Sequence, residues 1–455
     1  CGAQPAGAVD IVGIVRVCAC LSHSCSAPCG AVLAGSLGAA ARFGKAVCGW
    51  AGDFAAGKKV LDPLAMDDAA ATPYCDLPPF RIAAQDHSFT FYPGGADRLA
   101  ALIDLIASAR ERLEVFYYLF DDDESGTRVR DALVAAARRG VAVHLIVDAF
   151  GNDAGAGFFA PLRAAGGRFA EFSPKWGTRY LVRNHQKFAI ADGARVMTGG
   201  ANVSDHYFAP PEANGWCDLS VLVEGPVAAQ FVRWFALLAE WTENEARGRV
   251  AQLRRLRDIV KDWDGGSGPV RLLVGGPLVR RGHWAWALRQ DLARARRLDT
   301  VTAYFSPPRS FRRQIARVAR RGAVRMVMAG KSDIAAAIDM ARLQYGQLLR
   351  AGVRLFEFQP CKLHMKLLVV DGASYVGSAN LDKRSLRINV ELMLRIEDEA
   401  LAARLRALID HLEAASEPVT LKWYAEHATL LARLRWGIAY WLNLADYRVS
   451  RLASG

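Results

Sequence analysis

The sequence predicts an α/β protein made of two similar halves, each a mixed β-sheet flanked by helices. Segments typical of strands alternate with segments typical of helices from about residue 88 onward, as in layered α/β folds. The same succession then occurs a second time along the chain, and such repetition indicates a duplicated structural unit. We therefore expect the two halves to be related by a pseudo-two-fold axis, with a functional site between them.

The elements of the first half follow one another in a regular order. The predicted succession is a strand at 88–92, a helix at 96–110, a strand at 113–118, a helix at 124–138 and strands at 141–147 and 167–172. Strands that alternate with helices in this way favour α/β layering.

The second half repeats landmarks of the first. The helix that ends in Ala-Arg-Arg-Gly at 137–140 has a counterpart at 319–322, and the strand that ends in Glu171-Phe172 has one that ends in Glu357-Phe358. A glycine-rich stretch at 265–269 lies between the copies and is typical of a linker. The predicted divisions are an N-terminal segment at 1–80, a first half at 81–248, a linker at 249–268, a second half at 269–415 and a C-terminal tail at 416–455.

The composition indicates a basic globular protein. The 455 residues carry a net charge of +12, which favours anionic partners such as nucleic acid, phospholipid head groups or phosphate esters. No uninterrupted apolar stretch reaches the roughly 18 residues that span a bilayer. Six of the nine cysteines lie within residues 1–48 at irregular spacings, and the scattered remainder fits a reducing compartment.

A His-x-Lys pattern occurs once in each half with the same surroundings. From histidine to lysine is two positions in both copies, and from histidine to a following aspartate is seven. A Gly-x-Ala-Asn segment comes next in both. The residues of the first copy are His185, Lys187, Asp192 and Asn202, and those of the second are His364, Lys366, Asp371 and Asn380. Two such patterns at matching positions of a duplicated chain indicate one site with a contribution from each half.

The spacing of these residues suits phosphoryl chemistry. On a strand, positions i and i+2 point to the same face, so that histidine and lysine project together. An imidazole can attack phosphorus while the lysine neutralises a phosphoryl oxygen and the asparagine donates to the phosphate. With one histidine on each side of a phosphodiester, the site holds a nucleophile and an in-line general acid. No cluster of metal-ligating residues is visible, so neither a metal nor another cofactor is expected.

The two motifs resemble those of the phospholipase D superfamily, whose members carry two HxKx4D motifs. The segment at 377–385, with Asn389 and Glu391 after it, is similar to the bacterial cardiolipin synthase branch. The resemblance covers about residues 88–415 and implies that both halves are phospholipase-D-type units. It also implies that His185 is the nucleophile, and that His364 protonates the leaving alcohol and later deprotonates the incoming one. The phosphate-binding residues that it implies are Lys187, Lys366, Asn202, Asn380 and Ser378.

Four acidic residues are expected to support the histidines. The two that match the family's histidine-orienting positions are Asp218 and Glu391, and the two inside the motifs, expected to hold the motifs together, are Asp192 and Asp371. A carboxylate on the far imidazole nitrogen fixes the tautomer and stabilises the charged ring. One departure is Gly200, which stands where the second copy has Ser378, so the phosphate contacts of the two halves are expected to be unequal.

The C-terminal tail has two interpretations. Between residues 420 and 455, aromatic residues are mixed with five basic ones, and four apolar residues recur at helical spacing. The four are Leu430, Leu434, Ile438 and Leu442. Such a helix suits a membrane interface, but a terminal helix packed on the core has the same pattern. A shorter basic-aromatic segment at 175–180 is expected to be a loop.

Together these observations favour a lipid transphosphatidylase of the cardiolipin synthase kind. It would take a phosphatidyl group onto His185 and pass it to a glycerol hydroxyl of phosphatidylglycerol. The expected partners are an anionic phospholipid and a membrane surface, with peripheral attachment to the cytoplasmic membrane and no nucleic acid. Two alternatives stay open, a hydrolytic phospholipase D and a nucleic-acid phosphodiesterase, which the net charge of +12 would also suit.

Overall fold

Two eight-stranded β-sheets form the framework of the residues that the structure describes. The computed structural model describes residues 74–152, 154–173, 182–244, 249–277 and 283–454. Most of the predicted N-terminal segment, with its six cysteines, and the basic-aromatic segment at 175–180 lie outside these ranges. Both histidine motifs lie inside them.

The first sheet is built from the N-terminal half. In chain order, the strands of this half are β1 (Phe80–Ala84), β2 (His87–Tyr92), β3 (Arg112–Tyr117), β4 (Ala142–Asp148), β5 (Arg168–Phe172), β6 (Lys187–Ala191), β7 (Arg195–Gly199), β8 (Trp216–Cys217) and β9 (Ser220–Glu224). All except β8 form one sheet in the order β1-β2-β9-β7-β6-β3-β4-β5. The run β3-β4-β5 is parallel and the other neighbours are antiparallel, so the sheet is mixed, as predicted.

The second sheet repeats this design. The strands of the second half are β10 (Val270–Gly275), β11 (Arg297–Thr302), β12 (Phe305–Ser306), β13 (Ala323–Ala329), β14 (Arg354–Phe358), β15 (Lys362–Leu363), β16 (Lys366–Val370), β17 (Ala373–Gly377), β18 (Leu381–Asp382), β19 (Glu391–Glu397) and β20 (Ser416–Val419). Eight of them form the order β10-β19-β17-β16-β11-β13-β14-β20. From β10 to β14 this order matches β2-β9-β7-β6-β3-β4-β5, including the parallel run. The repeated strand order confirms the two similar halves.

Helices flank the sheets. They are α1 (Gly95–Ser108), α2 (Glu124–Arg138), α3 (Gly155–Phe158), α4 (Ala160–Ala164), α5 (Asp205–Phe208), α6 (Ala228–Glu243), α7 (Arg249–Asp262), α8 (His283–Arg294), α9 (Arg309–Arg321), α10 (Ala335–Arg350), α11 (Glu399–Ala414), α12 (Leu421–His427) and α13 (Leu430–Ser454), with a 3-10 turn at Pro211–Ala213. The bounds of α2 agree with the prediction, because Asp123 caps its first turn through a 2.8 Å bond from the Gly126 amide. Within the described ranges, no helix combines the length and the apolar character needed to cross a bilayer.

Three apolar cores lie between these layers, and one of them is shared. Two cores draw their residues from one half each, whereas the third contains Phe188 and Ile190 of β6 together with Leu367 and Val369 of β16. Both strands are buried along their whole length, as is typical of central strands covered on both faces. The common core ties the halves together directly beneath the two motifs.

Two short parallel pairings join the halves near the motifs. β8 pairs with β15, and Asn184 forms a bridge with Val390. β15 and Asn184 immediately precede the motif histidines, while β8 and Val390 immediately precede Asp218 and Glu391. Each histidine is therefore brought beside the acidic residue of the other half.

The histidines lie just ahead of the strands and not on them. β6 and β16 begin at the two motif lysines, whereas the i, i+2 argument placed histidine and lysine on one strand. The backbone N–H of His185 donates to the carbonyl oxygen of Val390 at 2.8 Å, and that of His364 to Cys217 at 2.8 Å. The strand prediction was wrong by two residues because this part of the chain pairs with the opposite half.

Two segments outside the predicted halves contain regular structure. α7 lies within the segment predicted as a linker, and its Leu256 and Val260 are buried in the shared core. The tail forms β20, α12 and α13, and α13 packs on α10 with Trp436 and Ala439 buried. The inner face of α13 thus belongs to the folded structure.

Candidate active site

His185 lies where the two halves meet, with its imidazole facing the second half. Its Nδ1 is 3.2 Å from Glu391 Oε2 and 3.1 Å from the carbonyl oxygen of Ser378. Glu391 is fully buried at the first position of β19. Since both neighbours of Nδ1 are acceptors, this nitrogen carries the proton, and the lone pair of Nε2 is left for attack on phosphorus.

His364 has the reciprocal arrangement with the first half. Its Nδ1 is 2.7 Å from Oδ2 of Asp218, a fully buried residue that follows β8. The acidic partner of each histidine therefore comes from the opposite half. Both acidic residues were predicted from the sequence, but their crossed pairing was not, because it depends on how the halves meet.

Burial and the neighbouring lysines keep both imidazoles neutral. Burial, followed by the charge of Lys187, lowers the pKa of His185 to about 4. Burial, followed by the charge of Lys366, lowers the pKa of His364 to about 3. Both rings are therefore neutral at neutral pH, the form that a nucleophilic imidazole requires.

The two partner carboxylates are ionised although they are buried. Burial alone would raise the pKa of Asp218 and that of Glu391, but the histidine and lysine beside each outweigh it, so that both pKa values lie below the ordinary range. An ionised carboxylate stabilises the positive ring that forms when Nε2 binds a proton. The site is thus prepared for a charge that appears only during reaction.

The motif lysines are buried beside the histidines. Lys187 Nζ donates to the carbonyl oxygen of His185 at 2.6 Å, and Lys366 makes the equivalent bond to His364. Lys366 Nζ also lies 2.6 Å from Nδ1 of His364. Burial lowers the pKa of Lys366 to about 8 and that of Lys187 well below its ordinary value. A phosphate anion beside the two ammonium groups would favour their charged forms.

Asn202 and Asn380 follow β7 and β17 at equivalent positions. Both side chains are buried, and within the described part of the chain the side-chain oxygen of each has no hydrogen-bond partner. Buried polar atoms without partners are rare in native structures and call for a ligand or a function. A phosphate oxygen accepts hydrogen bonds and cannot pair with a carboxamide oxygen, so the phosphate contacts expected from the sequence would have to come from the two carboxamide nitrogens.

The difference between Gly200 and Ser378 has a structural reason. A Cβ at Gly200 would lie 2.3 Å from Oδ1 of Asp218, because the short aspartate side chain keeps its carboxylate close to this backbone. Glu391 is one methylene longer and leaves room for Ser378, whose Oγ donates to Glu391 Oε2 at 2.6 Å. The hydroxyl of Ser378 was expected to bind phosphate. In the structure it donates to the carboxylate of Glu391, which lies beside Nδ1 of His185.

The motif aspartates lie at the far ends of β6 and β16. Asp192 accepts hydrogen bonds from the successive backbone amides at 110–112 at 2.8 to 3.2 Å, and Asp371 accepts from those at 296 and 297. Both residues have a positive φ, 54° and 46°. They fasten the turns after β6 and β16 to the starts of β3 and β11.

Aromatic residues that the sequence analysis did not assign to the site surround the imidazoles. The distances between ring centroids are 4.9 Å from Tyr118 to His185, and 5.0, 5.2 and 6.5 Å from Tyr207, Trp216 and Tyr304 to His364. Tyr118 comes one residue after β3, and Tyr304 comes two residues after the equivalent strand β11. Aromatic rings therefore form part of the immediate surroundings of both imidazoles.

Arg98 of α1 is a further residue that the sequence analysis missed. It is fully buried, and its guanidinium donates to the carbonyl oxygens of Tyr207 at 2.7 Å, Trp216 at 2.9 Å and Asp218 at 2.7 Å. These bonds hold the segment that carries the partner of His364. A single arginine in an amphipathic helix has no pattern by which sequence reasoning could find it.

The chain matches the family described as cardiolipin synthase, PLD-like domain, over residues 102–238 and 288–413, which include both motifs. Cardiolipin synthase A of Pseudomonas entomophila (strain L48) is 31% identical over 325 residues, 69% of this chain and 66% of that protein. Cardiolipin synthase A of Edwardsiella ictaluri (strain 93-146) is 30% identical over 347 residues, 72% of this chain and 69% of that protein. The chain thus spans slightly less than two thirds of the length of the Pseudomonas relative.

A solved structure has the same fold. The phosphatidylserine synthase of Haemophilus influenzae Rd KW20 aligns with a TM-score of 0.66 and 16% identity over 82% of this chain and 97% of that one. At this identity the likeness concerns the fold alone. The match to the family model over both halves shows that the chain belongs to the phospholipase D superfamily, within the family described as cardiolipin synthase, PLD-like domain.

Proposed function

We propose that this chain is a phospholipid transphosphatidylase that works through a covalent phosphohistidine. It takes a phosphatidyl group from a donor phospholipid and transfers it to a glycerol hydroxyl of phosphatidylglycerol, at the surface of the cytoplasmic membrane. The observation that carries the proposal is the pair of buried imidazoles, each backed by an ionised carboxylate of the opposite half.

The reaction follows in two steps from this geometry. In the first, Nε2 of His185 forms a bond to phosphorus, the bond from phosphorus to the alcohol oxygen of the donor breaks, and that oxygen takes a proton from His364. In the second, His364 takes the proton of the incoming glycerol hydroxyl, whose oxygen binds phosphorus as the bond to His185 breaks. Lys187 and Lys366 neutralise the phosphoryl oxygens in both steps.

The assignment of the two histidines is supported by their carboxylates. His364 has to be positively charged before the first step, and an anionic phosphodiester beside it favours that charge. Asp218 lies 2.7 Å from His364, closer than Glu391 lies to His185 at 3.2 Å. The shorter contact suits the ring that carries a proton in each cycle.

A lipid acceptor is favoured over water by two observations. The relatives reported above are named cardiolipin synthases. The aromatic rings of Tyr207, Trp216 and Tyr304 lie around His364, the residue that would activate the acceptor, and such apolar surroundings suit a lipid better than water.

The test of this proposal is incubation of the purified chain with vesicles of labelled phosphatidylglycerol. We expect cardiolipin and free glycerol in equal amounts, identified by mass. Phosphatidic acid as the main product would instead indicate hydrolysis, and the absence of both products would overturn the proposal.

The covalent step is tested with histidine variants. His185→Ala and His364→Ala should each lower turnover by about 10³-fold or more, because nucleophile and acid act as a unit. His206→Ala, at an exposed position of α5, is the matched control. Wild-type protein denatured rapidly during turnover should carry a phosphatidyl adduct on His185, and an adduct on His364 would reverse the two roles.

A further inference from the structure

α13 exposes an apolar stripe on the side turned away from α10. Within the described part of the chain nine large apolar side chains are exposed, and six of them lie on this helix. The six are Leu430, Leu431, Leu434, Ile438, Trp441 and Leu442. Their spacing places them along one face, opposite the buried Trp436 and Ala439. A contiguous exposed apolar surface of this kind marks an interaction site.

Cationic side chains lie on the neighbouring helix α9. Its exposed arginines are Arg309, Arg313, Arg317, Arg320 and Arg321, and none of them makes an ion pair within the ranges that the structure describes. α9 reaches both α10 and α13, since Arg312 donates to Gln344 of α10 at 2.8 Å and lies beside the hydroxyl of Tyr440. An apolar helix face and exposed arginines on a helix that contacts it are the combination that binds an anionic bilayer.

The inner face of α13 lies close to the candidate active site. Tyr304, whose ring centroid is 6.5 Å from that of His364, packs in one cluster with Ala439 and Tyr440 of α13. Lys383, three residues beyond Asn380, donates to the hydroxyl of Tyr440 at 2.9 Å. One side chain therefore separates the helix from the imidazole that handles the alcohol.

We propose that the outer face of α13 is the surface on which the chain rests on a bilayer of anionic phospholipid. This contact holds the His364 side of the site at the level of the lipid head groups, where both the leaving and the incoming alcohol are found. The inference rests on the proposed function for its substrate class, but its claim concerns the binding surface. A second copy of the chain is a poorer occupant, because each copy carries a net charge of +12 and like charges oppose self-association.

The experiment compares two triple variants of the full chain at the same sites. L434Q/I438Q/L442Q removes the apolar character of the stripe, whereas L434M/I438M/L442M keeps it, and both glutamine and methionine are good helix formers. Binding is measured by flotation with phosphatidylglycerol vesicles. We expect the glutamine variant to bind at least about tenfold more weakly than wild type and the methionine variant to bind within about twofold, because the apolar part of interfacial binding scales with buried area. Wild-type binding should weaken, but persist, at about 1 M salt, where charges are screened within roughly 3 Å.

The other outcomes separate this inference from the proposed function. Equal vesicle binding by the glutamine variant would overturn the inference. So would a wild-type dimer that the glutamine substitutions convert to a monomer, since the stripe would then be an interface between copies. A thermal unfolding midpoint that falls sharply in the glutamine variant alone would show that the chain itself covers the stripe. Failure of the proposed function has a different appearance, because wild type would then bind vesicles without forming cardiolipin or phosphatidic acid.

Discussion

The two imidazoles of the site have carboxylate partners of different length, an aspartate for His364 and a glutamate for His185. Asp218 reaches His364 with a short side chain that leaves no room for a Cβ at Gly200, while Glu391 reaches His185 with a longer one that Ser378 supports. The two pairs are therefore related by the repeat without being interchangeable. A substitution that preserves shape but removes charge isolates what each carboxylate contributes.

We expect Asp218→Asn to lower kcat by about 10²- to 10⁴-fold, because a carboxamide cannot stabilise the positive imidazole and can hold the wrong tautomer. Asp192→Asn is the comparison, since the Asp192 carboxylate accepts its hydrogen bonds from the backbone amides at 110–112. It should cost about 1–3 kcal/mol in the free energy of unfolding with a much smaller change in kcat. Equal effects of the two substitutions on kcat would contradict the orienting role. Steady-state turnover and thermal unfolding measure the two quantities.

The lowered pKa of Lys366 predicts how kcat/KM falls at alkaline pH. Burial lowers the pKa of Lys366 to about 8, and the protonated form is the one that neutralises phosphate. Because kcat/KM reports groups of the free enzyme, kcat/KM should fall as the pH rises through about 8. In Lys366→Arg the guanidinium stays charged, so this fall should disappear although the overall rate is lower. A fall that persists unchanged in the variant would belong to another group.

At the level of elements, local patterns predicted the repeated units and missed how they meet. α2 and the strand β5 agree with the predicted ranges to within one residue, since alternation, caps and apolar runs are local properties. The pairing of β8 with β15 across the two halves is a tertiary contact, and no local sequence pattern predicts it. The same limit explains α7, whose mainly polar sequence gains its stability from Leu256 and Val260 in the shared core.

The carbonyl cluster around Arg98 links α1 to β8 and thereby to Asp218. Arg98→Lys retains the charge but cannot donate to three carbonyls in one plane, so the carboxylate beside His364 should be less well placed. We expect about tenfold lower turnover of lipid substrates, whose alcohol needs a proton to leave. A p-nitrophenyl phosphodiester leaves without that help and should be affected much less. An equal loss on both substrates would mean that Arg98 serves only the stability of the fold.

On the scale of the whole molecule, the shared core and the site are both built from residues of the two halves. Phe188 and Leu367 belong to different halves and pack in one core, directly below motifs that exchange their acidic partners. The positive charge of the site comes from both halves as well, as Lys366 lies close enough to Lys187 to lower its pKa.

Because each half contributes a lysine to the site, we expect that turnover does not need a divalent metal. Two buried ammonium groups and two imidazoles can stabilise the transition-state charge that Mg²⁺ stabilises in many phosphoryl transferases. Excess EDTA should leave the rate of cardiolipin formation from phosphatidylglycerol unchanged. Complete loss that a stoichiometric divalent ion restores would contradict this mechanism. Vesicle binding measured in parallel separates an effect of EDTA on docking from one on chemistry.

The crossed histidine–carboxylate pairs also determine how the chain can be recombined with its relatives. A half transplanted from another member of the family would bring a histidine whose partner stays behind in the donor protein, and a carboxylate that has to meet a foreign ring. Functional chimeras therefore need crossover points that move residues 216–218 together with the second histidine motif and residues 389–391 together with the first. A boundary drawn between the two sheets, which the chain order suggests, would divide both catalytic pairs at once.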